Sequence, residues 1–251
     1  MAAGYGQIVS TLRQEIVSGE YASVVPAGPE LATRFGVSES TINRALSQLR
    51  SEGLVRTQQG RGTTVNPVPV IRRDAAARQR AGTREAGGAR GAFDAELRAA
   101  GLEPRTETET GRAVPPAAAA QLLGMAEKAE AVYRRRRMYA GTEPVQLATS
   151  WIPADIADGT PISQPDPGPG GIYSRLADLG HAPDQFTEEV SVKVPDDDEA
   201  RALGIDPDHR VYAITRVTAD AAGRAVEVNV IVMPTHQWTL RYTWPAEAQG
   251  A

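Results

Sequence analysis

The stretch ELATRFGVSESTINRAL, beginning at Glu30, constrains this chain more than any other. Within it Ala32, Gly36 and Ile42 stand at relative positions 0, +4 and +10. A small residue at the first position lets two helices approach closely, and a glycine at the second allows a sharp turn between them. A β-branched residue at the third locks the following helix into a core. This spacing suits a bihelical unit whose second helix can lie in the major groove of a duplex.

The flanking residues complete a small domain. Ile8, Leu12 and Ile16, with Val9 beside them, place one apolar stripe on a helix from Tyr5 to Ser18, which Gly19 ends. Tyr21–Pro29 reads as a connector, and Pro29 suits the first position of a helix Glu30–Phe35. Ser38 offers an N-cap hydroxyl to the next helix, where Ile42, Ala45, Leu46 and Leu49 share a face. Gly53 ends that helix. Leu54-Val55 then begins a strand, Gln58–Gly62 turns, and Thr63-Thr64-Val65 returns as its partner.

Ser38, Ser40, Thr41, Asn43 and Arg44 fall at or near the leading end of the second helix. Asn can bond an adenine edge twice and Arg a guanine edge twice. The hydroxyls and the helix-end amides suit phosphate oxygens. The hairpin reads as a wing in which Gly60 and Gly62 let the backbone turn closely and Arg61 reaches the minor groove. Arg34, Gln59 and Thr63 complete the candidate DNA-contacting set. Taken singly, Asn43 or Arg61 could equally well solvate an ordinary helix or turn. Together with the helix spacing and the Gly-Arg-Gly tip, they indicate a winged helix-turn-helix over residues 1–66.

Charge changes along the chain. Residues 1–66 hold six Arg against five acids, residues 67–92 six Arg against two, and residues 93–251 fifteen bases against twenty-four acids. A small nucleic-acid reader joined to an acidic partner domain would show such asymmetry, and so would an acidic domain on an Arg-rich tether. Residues 67–92, rich in Ala, Arg and Gly, read as that linker, with Gly82, Gly87, Gly88 and Gly91 favouring a hinge. From Phe93 to about residue 246, strands paired through short turns alternate with helices, which suggests an α+β fold around an antiparallel sheet. No internal repeat is evident at this level.

Several functions are excluded by what the 251 residues lack. Without cysteine there is no disulfide framework and no thiol nucleophile, and three scattered histidines make a metal site unexpected. No cofactor is expected. No apolar run reaches membrane-spanning length and the opening residues lack signal-peptide character, so a cytoplasmic protein with no membrane association is expected. GxSxG, HExxH and a Walker loop are all absent, which argues against an enzyme. Asp196-Asp197-Asp198-Glu199 reads as a helix start rather than a metal cage.

Three segments, YGQIVSTLRQEIVSGEY, ELATRFGVSESTINRAL and SEGLVRTQQGRGTTV, resemble the N-terminal domain of the GntR family of bacterial transcription regulators. FDAELRAAGLEP, RRRRMYAGTEPVQLATSWIP, GGIYSRLADLG, DDDEARALG and RVYAITRVTADAAGRAVEVN resemble the effector-sensing UTRA domain of its HutC subfamily, whose fold is similar to chorismate lyase. The resemblance implies a homodimeric repressor on an inverted-repeat operator of double-stranded DNA, released by a small-molecule effector. It also implies that Arg135, Arg137, Ser150, Tyr173 and Glu227 face that effector. Alternation puts Arg135 and Arg137 on one strand face, which could hold an acidic ligand. Alternatively, the four strand arginines neutralise carboxylates on neighbouring strands. The chain departs from the family in a connector about two residues short of the usual Pro-Gly pair. It also carries Pro29 and Glu39 where basic residues are common, and Gly171 and Met233 where sugar-phosphate sensors tend to carry a serine and an aromatic hydroxyl. A DNA-binding dimer without a ligand and, further off, a lyase-like enzyme are the competing functions.

Overall fold

The structure, a computed structural model, describes residues 3–58, 62–66 and 70–244. It divides into two compact units, Met1–Val70 and Ile71–Ala251. In the first, helices α1 (Tyr5–Val17), α2 (Gly28–Phe35) and α3 (Glu39–Ser51) precede the strands β1 (Val55–Gln58) and β2 (Gly62–Val65). The apolar stripe of α1 meets the rear face of α3, so Ile8, Leu12, Ile42, Ala45 and Leu49 are wholly buried. Gly36 closes α2 with φ 65° and ψ 37°, a left-handed conformation that costs a glycine little. The Ser38 hydroxyl then accepts the Thr41 amide and caps α3. Helix α2 begins one residue earlier than its proline suggests, with Ala27 at the cap. Strand β1 pairs antiparallel with β2, and the connector residue Val24 bridges to Thr64 on the far side of β2.

The second unit runs β3 (Ile71–Asp74), a 3-10 turn (Ala77–Gln79), α4 (Ala81–Glu85), α5 (Ala92–Ala99), β4 (Pro104–Ala113), α6 (Ala117–Leu122), β5 (Ala131–Ala140) and β6 (Glu143–Pro153). Then follow α7 (Ala154–Ala157), α8 (Gly171–Asp178), β7 (Pro183–Lys193), α9 (Asp197–Leu203), β8 (Val211–Asp220), β9 (Ala225–Pro234) and β10 (Trp238–Arg241). Six strands form one antiparallel sheet in the order β4-β5-β6-β9-β8-β7. The expected α+β architecture with an antiparallel sheet is therefore present. Asp196 caps α9 in a reciprocal capping box with Glu199, as its run of acids suggested.

Two expectations need correction. Residues 67–69 lie outside the described residues, but residues 71–92 are not a tether: they belong to the second unit. Strand β3 pairs in parallel with β10, Ile71 opposite Trp238, near the other end of the sequence. Arg73, fully buried, is ion-paired with Glu188 of β7, and buried Arg78 lies 3.4 Å from Glu96 of α5. Two arginines of the stretch that reads as a linker, Arg73 and Arg78, are drawn inward by carboxylates distant in sequence. The boundary consequently falls at Val70 rather than near residue 92.

An internal repeat also exists. The succession β4-α6-β5-β6 recurs as β7-α9-β8-β9, and the two halves meet at β6 and β9 in the middle of the sheet. Val114-Pro115 and Val194-Pro195 precede the two repeat helices, and Leu123-Gly124 and Leu203-Gly204 close them, at the same eighty-residue offset. Gly124 and Gly204 share φ 64°. The repeat escapes a composition-level reading because one copy of the helix is alanine-rich and the other acidic.

Candidate nucleic-acid interface and cationic cavity

Helix α3 buries Ile42, Ala45, Leu46 and Leu49 and turns its opposite side outward, leaving Ser38, Ser40, Asn43 and Arg44 exposed and Thr41 half-buried. The three hydroxyls cluster at the cap, with Ser38 Oγ 2.8 Å from Ser40 Oγ and 3.0 Å from Thr41 Oγ1. They sit beside the first-turn amides of α3, and a helix N-terminus favours an anionic oxygen. The Arg44 guanidinium lies 4.7 Å from the centre of the Tyr5 ring, and the Tyr5 hydroxyl donates to Gln48. Arg44 is thus pre-oriented along the helix while staying open to solvent. Thr63 on β2 is half-buried. Gln59, Gly60 and Arg61, the expected wing tip, lie outside the described residues.

Arg34 already has partners within the first unit. It forms an ion pair with the buried carboxylate of Glu15 and donates to the Tyr21 hydroxyl at 2.9 Å. Its hydrogen bond holds the Glu15 carboxyl below the usual carboxylate range, outweighing burial. Arg34→Ala should therefore act on stability. Chemical denaturation should show the first unit weakened by about 1–3 kcal/mol, with the preference for specific over random DNA unchanged once the folded fraction is counted.

In the second unit a cavity of about 610 Å³ opens on one face of the sheet. Registered strand partners share a face, so Arg134, Ser150, Asn229, Arg216 and Glu188 form one row across β5, β6, β9, β8 and β7. This is the cavity side. Tyr173 of α8 and Glu227 of β9 line the cavity, and Ser150 stands fully buried near them.

Arg135 and Arg137 do share a face, but it is the opposite one, and neither lines the cavity. Arg135 lies 3.7 Å from Glu109 and over the Tyr133 ring, and Arg137 lies over the Tyr139 ring. The pair that lines the cavity is Arg134 and Arg136. Four consecutive arginines present the same pattern to both faces, so alternation could not choose between them. The choice is made by α8 and the turn at Pro161–Ser163, which pack on the even-numbered side.

Glu227 is the centre of the polar network. Its carboxylate accepts from Ser150 and Tyr173 at 2.6 Å each and from Thr218 at 3.3 Å, and it lies 3.5 Å from Arg216. Burial pushes the Glu227 carboxyl up, but Arg216 and Arg136 outweigh burial and hold it below its ordinary value. Arg136 in turn donates to Ser150 at 2.6 Å and Asn229 at 3.3 Å. Arg134 donates to the backbone carbonyls of Ile162, Gln164 and Pro165, and burial pushes it down to about 10. Arg78, Arg84 and Arg216 also line the cavity. Sequence reasoning missed all three, because nothing in their local pattern signals a shared site.

Residues 4–65 match the gntR family of bacterial regulatory proteins, and residues 99–238 match the UTRA domain. An uncharacterized HTH-type transcriptional regulator of Streptomyces coelicolor is 31% identical over 97% of this chain and 91% of its own length. The chain belongs to the GntR family. Another relative of this GntR-family regulator is the HTH-type transcriptional repressor NagR of Bacillus subtilis, 25% identical over 89% of this chain and 87% of NagR. A crystal structure of a GntR-family transcriptional regulator superposes with a TM-score of 0.61 at 26% identity, covering 97% and 98% of the two chains. PhnF from Mycobacterium smegmatis has the same fold, with TM-score 0.61 at 22% identity over 96% of this chain and all of PhnF. The GntR-family chain is accordingly a DNA-binding transcriptional regulator with an effector-binding UTRA domain, and not an enzyme. No helix among its described residues is long and apolar enough to cross a membrane.

Proposed function

We propose that the protein is a homodimeric repressor of an inverted-repeat operator, released by an anionic small molecule bound in the second unit. The observation that carries this reading is the division of α3 into a fully buried rear face and an exposed front of Ser40, Asn43 and Arg44. Such a helix can dock in a major groove with its core undisturbed. Ser38, Thr41 and Thr63 would touch phosphate, and the wing residues Gln59, Gly60 and Arg61 would follow the adjacent groove. Two-fold symmetry in the protein calls for near-palindromy in the DNA. The cavity supports the effector half of the reading, since its lining includes eight arginines and the carboxylates Asp94, Asp166 and Glu227. Tyr173 and Glu227 would orient the ligand, with Ser150 behind them, and Arg136 would meet its charge.

Selecting duplexes from a random pool with the full chain tests this. The expected product is a pair of half-sites in inverted order, with centres about one helical turn, or a multiple of it, apart. Recovery of a single half-site or of unrelated sequences would count against the dimeric operator reading.

A further inference from the structure

The arginines of the cavity divide by the partners they already have. Those at its rim are matched by carboxylates: Arg90 with Asp166 at 3.0 Å, Arg98 with Asp94 at 2.9 Å and Arg105 with Glu107. Deeper in, Arg78 and Arg216 lie near Glu96 and Glu227, and Arg73, outside the lining, is paired with Glu188. Arg84, Arg134 and Arg136 have only neutral acceptors among the described residues. Arg84 donates to the Gln79 carbonyl at 2.9 Å, Arg134 to three carbonyls, and Arg136 to Ser150 and Asn229. Glu227 acts on Arg134 and Arg136 and Glu85 on Arg84, yet the cavity lining as a whole holds eight arginines against three carboxylates, so positive charge is in excess. Uncompensated charge away from water is costly and persists where something else satisfies it.

Arg84 and Arg78 also come from an unexpected place. Both follow the DNA-binding unit by only a few residues, in the stretch whose composition suggests a tether. Arg84 is buried, with its guanidinium 5.2 Å from the Tyr173 ring centre, and Arg216 of β8 approaches the same ring at 5.4 Å. The Tyr173 hydroxyl is bonded to Glu227. Arg84 and Arg216 thus gather on one aromatic side chain in the cavity wall. Arg78 is buried with its Nε and Nη1 lacking a hydrogen-bond acceptor among the described residues, and burial pushes it down to about 10.

We propose that Arg84 and Arg78 join Arg136 and Arg216 in binding a small molecule carrying at least two negative charges, so that the segment just after the DNA-binding unit is itself part of the effector contact. This rests on the anionic-effector reading above and adds two things to it, a minimum ligand charge and a direct contact with that segment. A monoanion would leave most of the excess charge unmet. A diphosphate or polycarboxylate would meet it through charge-assisted hydrogen bonds to arginines of both the sheet and the segment. The ligand would then pull on the chain eight and fourteen residues beyond Val70.

The test uses the full-length protein at constant ionic strength, with pyrophosphate, citrate and acetate as probes. Binding is read by calorimetry and by the thermal midpoint. Pyrophosphate or citrate should raise the midpoint of the wild type while acetate does not. Arg84→Gln should weaken that binding at least tenfold, Arg84→Lys should restore part of it, and circular dichroism should show both variants folded. Arg136→Gln serves as the sheet-side control. If Arg136→Gln abolishes binding and Arg84→Gln leaves it unchanged, the segment is not part of the site and this proposal falls, while the anionic cavity stands. If acetate binds as tightly as citrate, the minimum charge is wrong. If neither polyanion binds the wild type, both readings fail.

Discussion

Replacing Asn43 and Arg44 together with alanine should reduce the preference for operator over random duplex by about thirtyfold or more. Each bidentate base contact contributes roughly 1–3 kcal/mol of discrimination, so losing two reaches that range at the lower end. Both side chains are exposed, and removing them leaves Ile42, Ala45, Leu46 and Leu49 in place. Arg44 does lose its position over Tyr5, so a small fall in stability should accompany the change. Competition binding against a random duplex, with a denaturation curve for each variant, separates the two effects. The salt dependence adds a second discrimination. If Arg44 touches only phosphate, its loss lowers the slope of log affinity against log salt by about one and leaves selectivity intact. An unchanged preference in the double variant would show that the front of α3 does not read bases.

Glu227→Ala should be the most damaging single substitution in the second unit, costing about 3–5 kcal/mol. The side chain is fully buried, and its removal takes away the carboxylate on which Arg216 and Arg136 both act. It also leaves the hydroxyls of Ser150 and Tyr173 without their acceptor. Glu227→Gln, which keeps the shape and part of the hydrogen bonding, should cost less. Because the folded-state carboxyl is held below its ordinary value near 4.5, its contribution is fully present above that pH. It is lost as the pH falls through the lower, folded-state value. The wild type should therefore lose stability on acidification, and Glu227→Gln should show a shallower loss over that range. Thermal unfolding from pH 7 down to pH 3 reads both slopes. Parallel slopes for wild type and Glu227→Gln would mean that Glu227 is not the charge holding the two arginines.

The two sites were legible to different degrees. Those of the first unit lie within one local stretch, and local spacing carries them. Gly36 turns, Ser38 caps, and a four-residue apolar period buries one side of α3, which leaves Asn43 and Arg44 facing out. The ion pair of Arg34 was not legible in this way, because its partner, Glu15, sits on another helix. In the second unit, alternation paired the arginines of β5 correctly, but the family likeness pointed to Arg135 and Arg137 whereas Arg134 and Arg136 line the cavity. Parity is a local property, whereas which side a helix covers is not. The repeat was hidden for a related reason: its two copies conserve backbone turns at Gly124 and Gly204 while differing in the composition of the helices before them.

What the amino-acid order determined alone is the helix-turn-helix with its exposed helix end and the presence of an antiparallel α+β domain, while the family likeness pointed to Tyr173 and Glu227, which line the cavity. All of these follow from periodicity, capping, turn chemistry or a close family likeness. Only the tertiary structure decided that residues 71–92 are part of the second unit, that Arg134 and Arg136 rather than their neighbours line the cavity, and that Arg78, Arg84 and Arg216 meet there. Those outcomes depend on where buried charge finds its counter-charge. Glu188 and Glu96 lie 115 and 18 residues from the arginines they hold, Arg73 and Arg78, beyond the reach of any local rule.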